Sequence, residues 1–417
     1  MGIWRIWGER PLFGGVRIHG AKNAVLPIMA ASILYGCEVE LLNCPELKDV
    51  DASVSILRHL GCGVQRQEDV VNIDSRSLTC SYIPHELMRE MRSSVIFLGA
   101  ILARCGEAAL SAPGGCELGP RPIDLHLDAL RALGADIRED GGSILCTAKE
   151  LKGAYINLRG PSVGATENSM IAACAASGET VITNAAREPE IVDLQGFLNA
   201  MGANVSGAGT PCIRIAGLAP KSQVGYRVMP DRIVAATFLC AAAIAGGEVE
   251  LKSLNPAHVE TVCDALTEMG CSITRRAASL KIVSDGVLRA GRPVVTGPYP
   301  GFPTDAQPLL MAACLKAEGT TAFVENIFDN RFRHVEELKC LGADIRTEGR
   351  VAMVTGVREL YGAPVHATDL RGGASLVIAA LAARGETTLF DSGHIDRGYD
   401  RLDESLRELG AEIEKDS

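Results

Sequence analysis

The side chain best suited to covalent chemistry is the thiol of Cys116, which lies in a loop formed by residues 111–122. Three glycines in this loop can adopt backbone dihedral angles that are closed to other residues, and three prolines fix theirs. The pattern predicts a hinged loop that presents the thiol, not a helix or strand that packs it. The alternative is a surface turn containing an inert cysteine, because most free cysteines are small buried hydrophobes.

Lys22 and Asn23 are also placed to do chemistry, because they stand where an apolar helical segment begins. Unpaired backbone N–H groups and the helix dipole attract anions to a helix start, so a lysine there predicts an anion site. A solvated helix end is the plainer alternative for Lys22 alone. Polar or charged residues mark the corresponding starts of five further segments: Arg92, Ser162, Asp231 with Arg232, Thr304 with Asp305, and Asp369 with Arg371.

Further arginines follow in loops, at Arg121, Arg331 and Arg397. The chain carries 41 Lys and Arg against 51 Asp and Glu, a formal net charge of −10. Several cations that converge in an acidic protein indicate a local site for a substrate with phosphate and carboxylate groups, since guanidinium groups bind both through paired hydrogen bonds. The acidic balance argues against nucleic acid or an anionic membrane surface as a partner.

Other function classes lack their sequence signatures. No Walker A loop or G-x-G-x-x-G motif follows a predicted strand, which argues against a nucleotide triphosphatase or a dinucleotide dehydrogenase. The 14 cysteines include no C-x-x-C pair and predict a reducing compartment without a zinc site. The first ten residues lack a signal peptide's apolar core, and the longest apolar run, residues 233–247, is shorter than the ~18 residues of a membrane span. We therefore expect a cytoplasmic protein that does not associate with a membrane and that binds no metal or cofactor.

The elements that must position these residues recur six times along the chain. The first signature is the end of a helix, then a glycine, then a strand. Its glycine recurs at intervals of 73, 68, 68, 72 and 68 residues. The six positions are Gly61, Gly134, Gly202, Gly270, Gly342 and Gly410. In the second signature an apolar helix ends at a glycine before a strand, and a left-handed cap is expected at Gly36, Gly106, Gly178, Gly247, Gly319 and Gly385. The two signatures together predict that each unit contains a helix, a strand, a second helix and a second strand, in that order, and that further strands complete the unit.

The first helix of each unit is apolar on nearly all sides, as in residues 307–315 and 375–383, and such a helix must be buried. The second helix, such as residues 125–133, carries charge on one face. We therefore expect an α/β protein with apolar helices inside and sheets around them. Six units divide into three and three, with a domain boundary expected at residues 226–231. A continuous solenoid is the alternative, but the repeats are longer than the common solenoid periods.

Eight segments together resemble a known family. In chain order they are residues 20–23 (GAKN), 47–50 (LKDV), 113–116 (PGGC), 119–126 (GPRPIDLH), 187–193 (REPEIVD), 230–232 (PDR), 301–305 (GFPTD) and 394–399 (HIDRGY). They resemble the UDP-N-acetylglucosamine 1-carboxyvinyltransferases, the enolpyruvyl transferases of peptidoglycan synthesis, over essentially the whole chain. The loop that contains Cys116 is particular to this branch of the enolpyruvyl transferases.

The resemblance implies two domains with the active site between them, each an inside-out α/β barrel of three repeated units. Residues 21–229 would form one domain, and residues 1–20 with 230–417 the other. The implied reaction transfers the enolpyruvyl group of phosphoenolpyruvate to the 3′-hydroxyl of UDP-N-acetylglucosamine and releases phosphate. These two small molecules are the expected partners, and the oligomeric state stays open.

By the same resemblance, Cys116 is the proton donor and the site of a covalent phosphoenolpyruvate adduct, which the charge of Arg121 favours by stabilising a thiolate. Asp305 is the base on the sugar hydroxyl. The expected phosphoenolpyruvate contacts are Lys22, Arg121 and Arg397 at the phosphate, Arg331 and Arg371 at the carboxylate, and Asn23, with Lys22 and Arg397 also taking part in catalysis. The expected UDP-N-acetylglucosamine contacts are Asn23, Arg92, Arg121, Pro122, Ile123, Asp124, Leu125, Ser162, Val163, Gly164, Asp305 and Ile327.

Gly160 departs from the family pattern, because some members carry a basic residue there, and one expected contact with the diphosphate stays open.

Two other functions also stay open. A sister enolpyruvyl transferase that acts on shikimate 3-phosphate would share the architecture, but the Cys116 loop argues against it. A non-catalytic paralogue that binds the UDP-sugar is the second, and the presence of Cys116, Asp305 and Arg397 argues against it.

Overall fold

The computed structural model describes residues 2–91, 93–111 and 123–416. Arg92, Cys116, Arg121 and Pro122, all expected site residues, lie outside these ranges. The described residues form two compact units. One unit contains residues 20–111 and 123–229, and the other contains residues 2–19 and 230–416. We call them the first unit and the second unit.

Thirteen α-helices occur in the described residues. The first unit contains α1 Lys22–Ala31, α2 Lys48–His59, α3 His85–Glu90, α4 Phe97–Cys105, α5 Asp124–Ala132, α6 Val163–Ala173 and α7 Pro189–Ala200. The second unit contains α8 Arg232–Ala245, α9 Glu260–Glu268, α10 Gln307–Ala313, α11 Val335–Cys340, α12 Leu370–Ala380 and α13 Leu402–Glu408. None of these helices is both long enough and apolar enough to cross a membrane.

The strands of the described ranges are equally regular. The chain begins with β1 Gly2–Trp7 and β2 Leu12–Arg17. The first unit then contains β3 Glu38–Leu42, β4 Gly63–Gln67, β5 Val70–Asp74, β6 Tyr82–Ile83, β7 Glu107–Ser111, β8 Asp136–Asp140, β9 Ser143–Thr147, β10 Tyr155–Asn157, β11 Glu179–Thr183, β12 Ala203–Ser206, β13 Cys212–Leu218 and β14 Gln223–Arg227. The second unit continues with β15 Gly247–Lys252, β16 Ser272–Arg275, β17 Ser279–Ser284, β18 Val294–Val295, β19 Thr320–Val324, β20 Asp344–Glu348, β21 Val351–Thr355, β22 Leu360–Tyr361, β23 Pro364–His366, β24 Ala383–Arg384, β25 Glu386–Asp391 and β26 Glu412–Asp416.

Six four-stranded sheets, three in each unit, contain all described strands except the pair β22 and β24. In every sheet one edge strand is parallel to its neighbour, and the other two pairs of neighbouring strands are antiparallel. In the sheet β10-β11-β13-β12, for example, β10 and β11 are the parallel pair. The strands β1 and β2 complete the sheets β23-β25-β1-β26 and β16-β17-β15-β2. The recurrence of one sheet topology six times confirms the six repeats that the glycine signatures predict.

Three apolar helices form the centre of each unit. In the first unit α1, α4 and α6 pack against one another, and in the second unit α8, α10 and α12 do so. Every residue of α8 from Arg232 to Ile244 is buried. Close approach depends on small residues, because a Cβ at Gly99 of α4 would lie 2.3 Å from Asn168 Oδ1 of α6. The prediction of apolar helices inside a ring of sheets is confirmed.

The glycine of the first signature ends its helix with a positive φ in all six repeats, from 92° at Gly342 to 111° at Gly270. Glycine adopts this conformation without the steric penalty of other residues, which explains the recurrence. The second signature is less regular. The left-handed cap expected at Gly106 is confirmed, with φ 74°. The caps expected at Gly36, Gly178, Gly319 and Gly385 are wrong, because the preceding helices α1, α6, α10 and α12 already end at Ala31, Ala173, Ala313 and Ala380. In the fourth repeat Gly246 is the residue that caps α8, with φ 78°.

The predicted helix limits need small corrections. The segment 307–315 is helical only to Ala313, and the 3-10 turn Cys314–Lys316 follows. The segment 375–383 begins earlier, at Leu370, because the Asp369 side chain caps the helix start. It ends at Ala380, since Ala383 pairs with Leu360 in the small sheet β22-β24.

An ionisable side chain lies inside the first unit. Glu167 on α6 is 4% exposed. Burial, with the nearby carboxylates of Glu190 and Glu188, raises the pKa of Glu167 well above its ordinary value of 4.5. The folded state therefore binds this proton more tightly than the unfolded chain does. The stability that this proton contributes is present below the unfolded pKa and is lost as the pH rises towards the folded pKa.

We expect Glu167→Gln, which keeps the shape of the protonated acid but cannot ionise, to stabilise the protein at pH 7 and to change little at pH 4. The difference should appear as the pH rises above the unfolded pKa, because the wild type alone then loses the stability that the buried proton contributes. Urea unfolding at both pH values measures it, with exposed Glu179→Gln as control. Equal stability of wild type and Glu167→Gln at pH 7 would contradict the buried proton.

Candidate active site

Asp305 lies in the loop before α10 and is held by two arginines. Asp305 Oδ1 accepts a hydrogen bond from Arg331 Nη2 at 2.9 Å, and Oδ2 accepts one from Arg371 Nε at 3.4 Å. The Asp305 side chain is 30% exposed, whereas those of Arg331 and Arg371 are 1% and 2% exposed. Three of the expected site residues are therefore brought together. Among them, the Asp305 carboxylate is the group most exposed to solvent and therefore to a substrate.

The position of Asp305 relative to its helix differs from the prediction. The sequence predicts a helix start at Thr304 and Asp305, but α10 begins at Gln307 and no side chain caps it. The corresponding aspartates of the neighbouring repeats, Asp231 and Asp369, are instead used as helix caps. Since Asp305 precedes the helix by two residues, its carboxylate is available to the arginines.

Arg331 lies in the short 3-10 helix Arg331–His334 and is fixed on several sides. Its Nε and Nη2 donate to the backbone carbonyl of Thr304 at 3.2 and 2.9 Å. Its Nη1 lies 3.8 Å from Asp369 Oδ1. His334 is buried beside it, and burial lowers the pKa of the His334 imidazole to about 4. The imidazole is therefore neutral at pH 7 and adds no positive charge beside Arg331.

Arg371 lies at the start of α12, and two of its guanidinium nitrogens make no hydrogen bond with the described residues. Asp369 Oδ1 accepts from the backbone N–H groups of Arg371 and Gly372, each at 3.0 Å. The guanidinium lies over the Tyr399 ring, 5.2 Å from its centroid. Its Nη1 and Nη2 are buried and make no hydrogen bond with the described residues. Buried donors without acceptors are costly, so these two nitrogens are suited to the oxygens of an anionic ligand.

Arg397 is carried on a segment that packs against the same helix. The carboxylate of Asp391 accepts hydrogen bonds from three successive backbone N–H groups, those of Gly393, His394 and Ile395. A Cβ at Gly373 of α12 would lie 3.0 Å from Ile395, so helix and segment are in close contact. The Arg397 side chain therefore emerges, half-buried, beside α12.

Glu325 is a site residue that sequence reasoning missed. This buried carboxylate accepts hydrogen bonds from Thr304 Oγ1 and from the backbone N–H groups of Ile327 and Phe328, at 2.8–3.1 Å. It thereby ties the loop of Asp305 to the loop of Ile327, whose side chain is exposed. The available signal was a charged residue directly after the apolar strand β19, which by itself is not distinctive.

In the first unit, Lys22 forms an ion pair with Asp49. Lys22 begins α1, Asp49 lies in the first turn of α2, and the ammonium nitrogen is 2.9 Å from Asp49 Oδ2. The Asp49 side chain is buried and that of Lys22 is largely so. Lys22 is therefore not a solvated helix end. Asn23 follows it on α1 and is half-buried.

The starts of α5 and α6 are brought together. A Cβ at Gly164 would lie 3.1 Å from the His126 ring, so the first turns of the two helices touch. Ser162 caps α6 by accepting from the Ala165 N–H at 3.3 Å. This contact places Ile123, Asp124 and Leu125 near Ser162, Val163 and Gly164. Two neighbouring helix N-termini attract anions. Gly160 borders open space, because no described atom lies within 4 Å of the point that a Cβ would occupy there.

Most of the described thiols are buried, unlike a reactive cysteine. All 13 described cysteines are free. Burial raises the pKa of several, for example Cys44 and Cys174, to about 12. Cys116 lies outside the described residues and is not among them. Within the described ranges no group of three or more His, Cys, Asp and Glu side chains is placed to hold a metal ion.

Comparison with known proteins identifies the family. The family model described as EPSP synthase (3-phosphoshikimate 1-carboxyvinyltransferase) matches residues 6–413. A UDP-N-acetylglucosamine 1-carboxyvinyltransferase 2 of Caldanaerobacter subterraneus subsp. tengcongensis is 49% identical over 413 residues, which is 99% of each chain. The UDP-N-acetylglucosamine 1-carboxyvinyltransferase of Halothermothrix orenii is 45% identical over the full length of both chains.

Solved structures agree with the fold. The enolpyruvyl transferase NikO from Streptomyces tendae matches with a TM-score of 0.89 at 26% identity, over 99% of this chain and 98% of its own. EPSP synthase from Acinetobacter baumannii matches over the whole of both chains with a TM-score of 0.75 at 22% identity, which is a likeness of fold alone. The chain therefore has the two-domain inside-out α/β barrel fold and belongs to the enolpyruvyl transferases, in the family of the UDP-N-acetylglucosamine 1-carboxyvinyltransferases.

Proposed function

We propose that this enzyme transfers the enolpyruvyl group of phosphoenolpyruvate to the 3′-hydroxyl of UDP-N-acetylglucosamine and releases phosphate, a step of peptidoglycan precursor synthesis. The observation that carries the proposal is the Asp305 carboxylate held between buried Arg331 and Arg371. The reaction needs a base and a carboxylate-binding group side by side, and this cluster contains both. The full-length relatives carry the name of this activity, which supports the choice of acceptor.

In the addition step, Asp305 accepts the proton of the sugar hydroxyl while the hydroxyl oxygen bonds to C2 of the enolpyruvate. Cys116 delivers a proton to the methylene carbon, so that the double bond becomes a single bond to a methyl group. In the elimination step the thiolate left on Cys116 takes a proton from the methyl group, the C2–O bond to phosphate breaks, and phosphate leaves with the electron pair of that bond. The double bond is restored in the enolpyruvyl ether.

The cations have separate roles in this scheme. The unused Nη1 and Nη2 of Arg371, with Arg331, hold the carboxylate of phosphoenolpyruvate. Lys22, Arg121 and Arg397 bind its phosphate, and fixed positive charges stabilise the charge that develops as phosphate leaves. Asn23 contacts both substrates.

The UDP-sugar is bound by the other expected residues. The touching starts of α5 and α6 support a diphosphate position there, with contacts from Arg92, Arg121, Pro122, Ile123, Asp124, Leu125, Ser162, Val163 and Gly164. Ile327 and Asp305 are the remaining proposed contacts with the UDP-sugar. We propose domains of residues 21–229 and of residues 1–20 with 230–417.

The 13 free described cysteines support a cytoplasmic location.

Phosphate release from phosphoenolpyruvate tests the function directly. We expect release when UDP-N-acetylglucosamine is present and none when it is absent, with the enolpyruvyl ether detected by mass spectrometry. A parallel reaction with shikimate 3-phosphate distinguishes the sister activity, because release with that acceptor alone would contradict the proposal. UDP-sugar binding without any phosphate release would identify a non-catalytic paralogue instead.

A phosphonate epoxide such as fosfomycin should alkylate Cys116, and Cys116→Ala should lose the adduct and at least about 10²-fold in turnover. The reason is that the loop sequence predicts an accessible thiol, and the charge of Arg121, five residues further along the chain, would give it more thiolate character than a buried thiol has. Peptide mass spectrometry locates the adduct. The exposed Cys105 and Cys340 serve as internal controls. An adduct on either of them with Cys116 unmodified would contradict the assignment.

A further inference from the structure

The second unit contains a cavity that the proposed reaction does not use. Its volume is about 340 Å³, within the usual range for small-molecule sites of roughly 300–1,000 Å³. It opens between α9 and the strands β18 and β19. Its apolar wall consists of the buried residues Met269, Val294, Phe302, Leu310 and Cys314. A molecule that enters the cavity would therefore exchange water for mainly apolar contacts.

One polar group at the cavity lacks a strong partner. Thr321 lines the cavity and is 3% exposed, and its buried Oγ1 has no well-aligned hydrogen bond to the described residues. Its hydroxyl interacts weakly with the Cys314 side chain, which offsets part of the rise in the thiol's pKa that burial causes. The neighbouring thiol of Cys314 is directed at the sulfur of Met269, 3.9 Å away. A buried hydroxyl without a partner costs free energy, because it gives up its hydrogen bonds to water on folding.

The repeats offer an internal comparison for Thr321. It is the second residue of β19, and Thr180 is the second residue of β11 in the third repeat. Thr180 is buried too, but its hydroxyl accepts a hydrogen bond from the Ala154 N–H at 3.4 Å. The same strand position thus gives the hydroxyl a partner in the third repeat, whereas Thr387, the second residue of β25, has no well-aligned hydrogen bond to the described residues, like Thr321.

The charges at the cavity mouth are neutralised in pairs. Asp264 is 3.0 Å from Arg275 Nη2, and Glu268 forms an ion pair with Arg292. A charged ligand would have to compete with these pairs, whereas a neutral ligand would not. The site is thus suited to an uncharged molecule that is apolar except for one group within reach of Thr321.

We propose that this cavity is an effector site for a neutral aromatic or heterocyclic compound that carries one N–H or C=O group, hydrogen-bonded to Thr321. Phe302 and Leu310, two of its walls, lie on either side of Asp305 in sequence. The same loop is tied to Glu325 through Thr304. An occupant that shifts Phe302 therefore acts on the loop that carries Asp305. The effector role rests on the proposed function, but the binding does not.

Binding is tested with 5-fluoroindole, whose ¹⁹F NMR signal has no protein background. We expect saturable binding with a dissociation constant of about 1 mM or lower, as is usual for a fragment of this size. Fluorobenzene, which lacks the N–H, should bind about fivefold more weakly, the ratio that one net hydrogen bond provides. Absence of saturable binding by 5-fluoroindole overturns the site.

Three variants locate the site. Ala265→Leu fills the cavity from α9 and should abolish binding of both probes. Thr321→Val should weaken 5-fluoroindole about fivefold and leave fluorobenzene unchanged. Thr387→Val is the matched control, because Thr387 is the second residue of β25 and is buried without a hydrogen bond to the described residues, yet does not line this cavity. Binding that survives in Ala265→Leu overturns the location.

The effector role has its own readout. We expect 5-fluoroindole at saturation to change the rate of phosphate release at least about twofold in the wild type and not in Ala265→Leu. Bound probe with an unchanged rate overturns the effector role. If no phosphate release is detected at all, the proposed function fails, while the binding experiment still decides the site.

Discussion

Asp305→Asn is expected to lower kcat by about 10²–10⁴-fold, the range that general acid–base groups contribute, with KM for phosphoenolpyruvate unchanged or lower. The amide oxygen can still accept the hydrogen bond that Arg331 now donates to Oδ1 at 2.9 Å, but the amide nitrogen that replaces Oδ2 cannot accept the one that Arg371 donates at 3.4 Å. The amide also cannot accept the proton of the sugar hydroxyl. Because a negative charge is removed beside two buried guanidinium groups, binding of an anionic substrate should not weaken.

Steady-state kinetics with each substrate varied in turn measure this prediction. Asp416→Asn is the control, because Asp416 is also paired with an arginine, Arg5 at 3.2 Å, but lies on the surface of the same unit. Its kcat should equal that of the wild type. An Asp305→Asn variant with unchanged kcat would remove the role of base from Asp305. A variant with unchanged kcat and a raised KM would assign Asp305 to binding alone.

The repeated framework could be predicted because it is encoded locally. The helix-ending glycines need a positive φ, and an all-apolar helix needs burial, so both features are visible in short stretches of sequence. The six sheets and the central helices of each unit follow from these two patterns. The error at Gly36 has the same origin, since the sequence does not reveal that α1 ends five residues earlier.

The partners of the site residues could not be predicted in this way. Asp305 meets Arg371 across 66 residues of sequence, and no short pattern joins them. The Lys22–Asp49 pair depends on how α1 and α2 pack, and Glu325 matters only because two loops converge on it. The sequence marks each polar helix start, but tertiary packing decides which carboxylates are used as caps and which stay available.

Arg371→Met is expected to raise KM for phosphoenolpyruvate by about 10–100-fold, the equivalent of one lost charge-assisted hydrogen bond. Arg371→Lys should fall in the same range, because an ammonium group cannot replace a planar two-point contact with a carboxylate. KM for UDP-N-acetylglucosamine should stay within about threefold. Equal effects on both KM values would contradict a role at the phosphoenolpyruvate carboxylate.

Stability of the unliganded protein provides the second test of Arg371. Part of the guanidinium serves the fold, because Nε donates to Asp305 at 3.4 Å and the group lies over the Tyr399 ring. Its removal breaks this buried pair and should destabilise the protein. Nη1 and Nη2 make no hydrogen bond with the described residues and are left for the ligand. We therefore expect the thermal midpoint of Arg371→Met to fall below that of the wild type. We also expect stabilisation by added phosphoenolpyruvate to be lost, since a ligand stabilises only the state that binds it. A lowered midpoint with that stabilisation retained would show that Arg371 supports the fold and not the substrate.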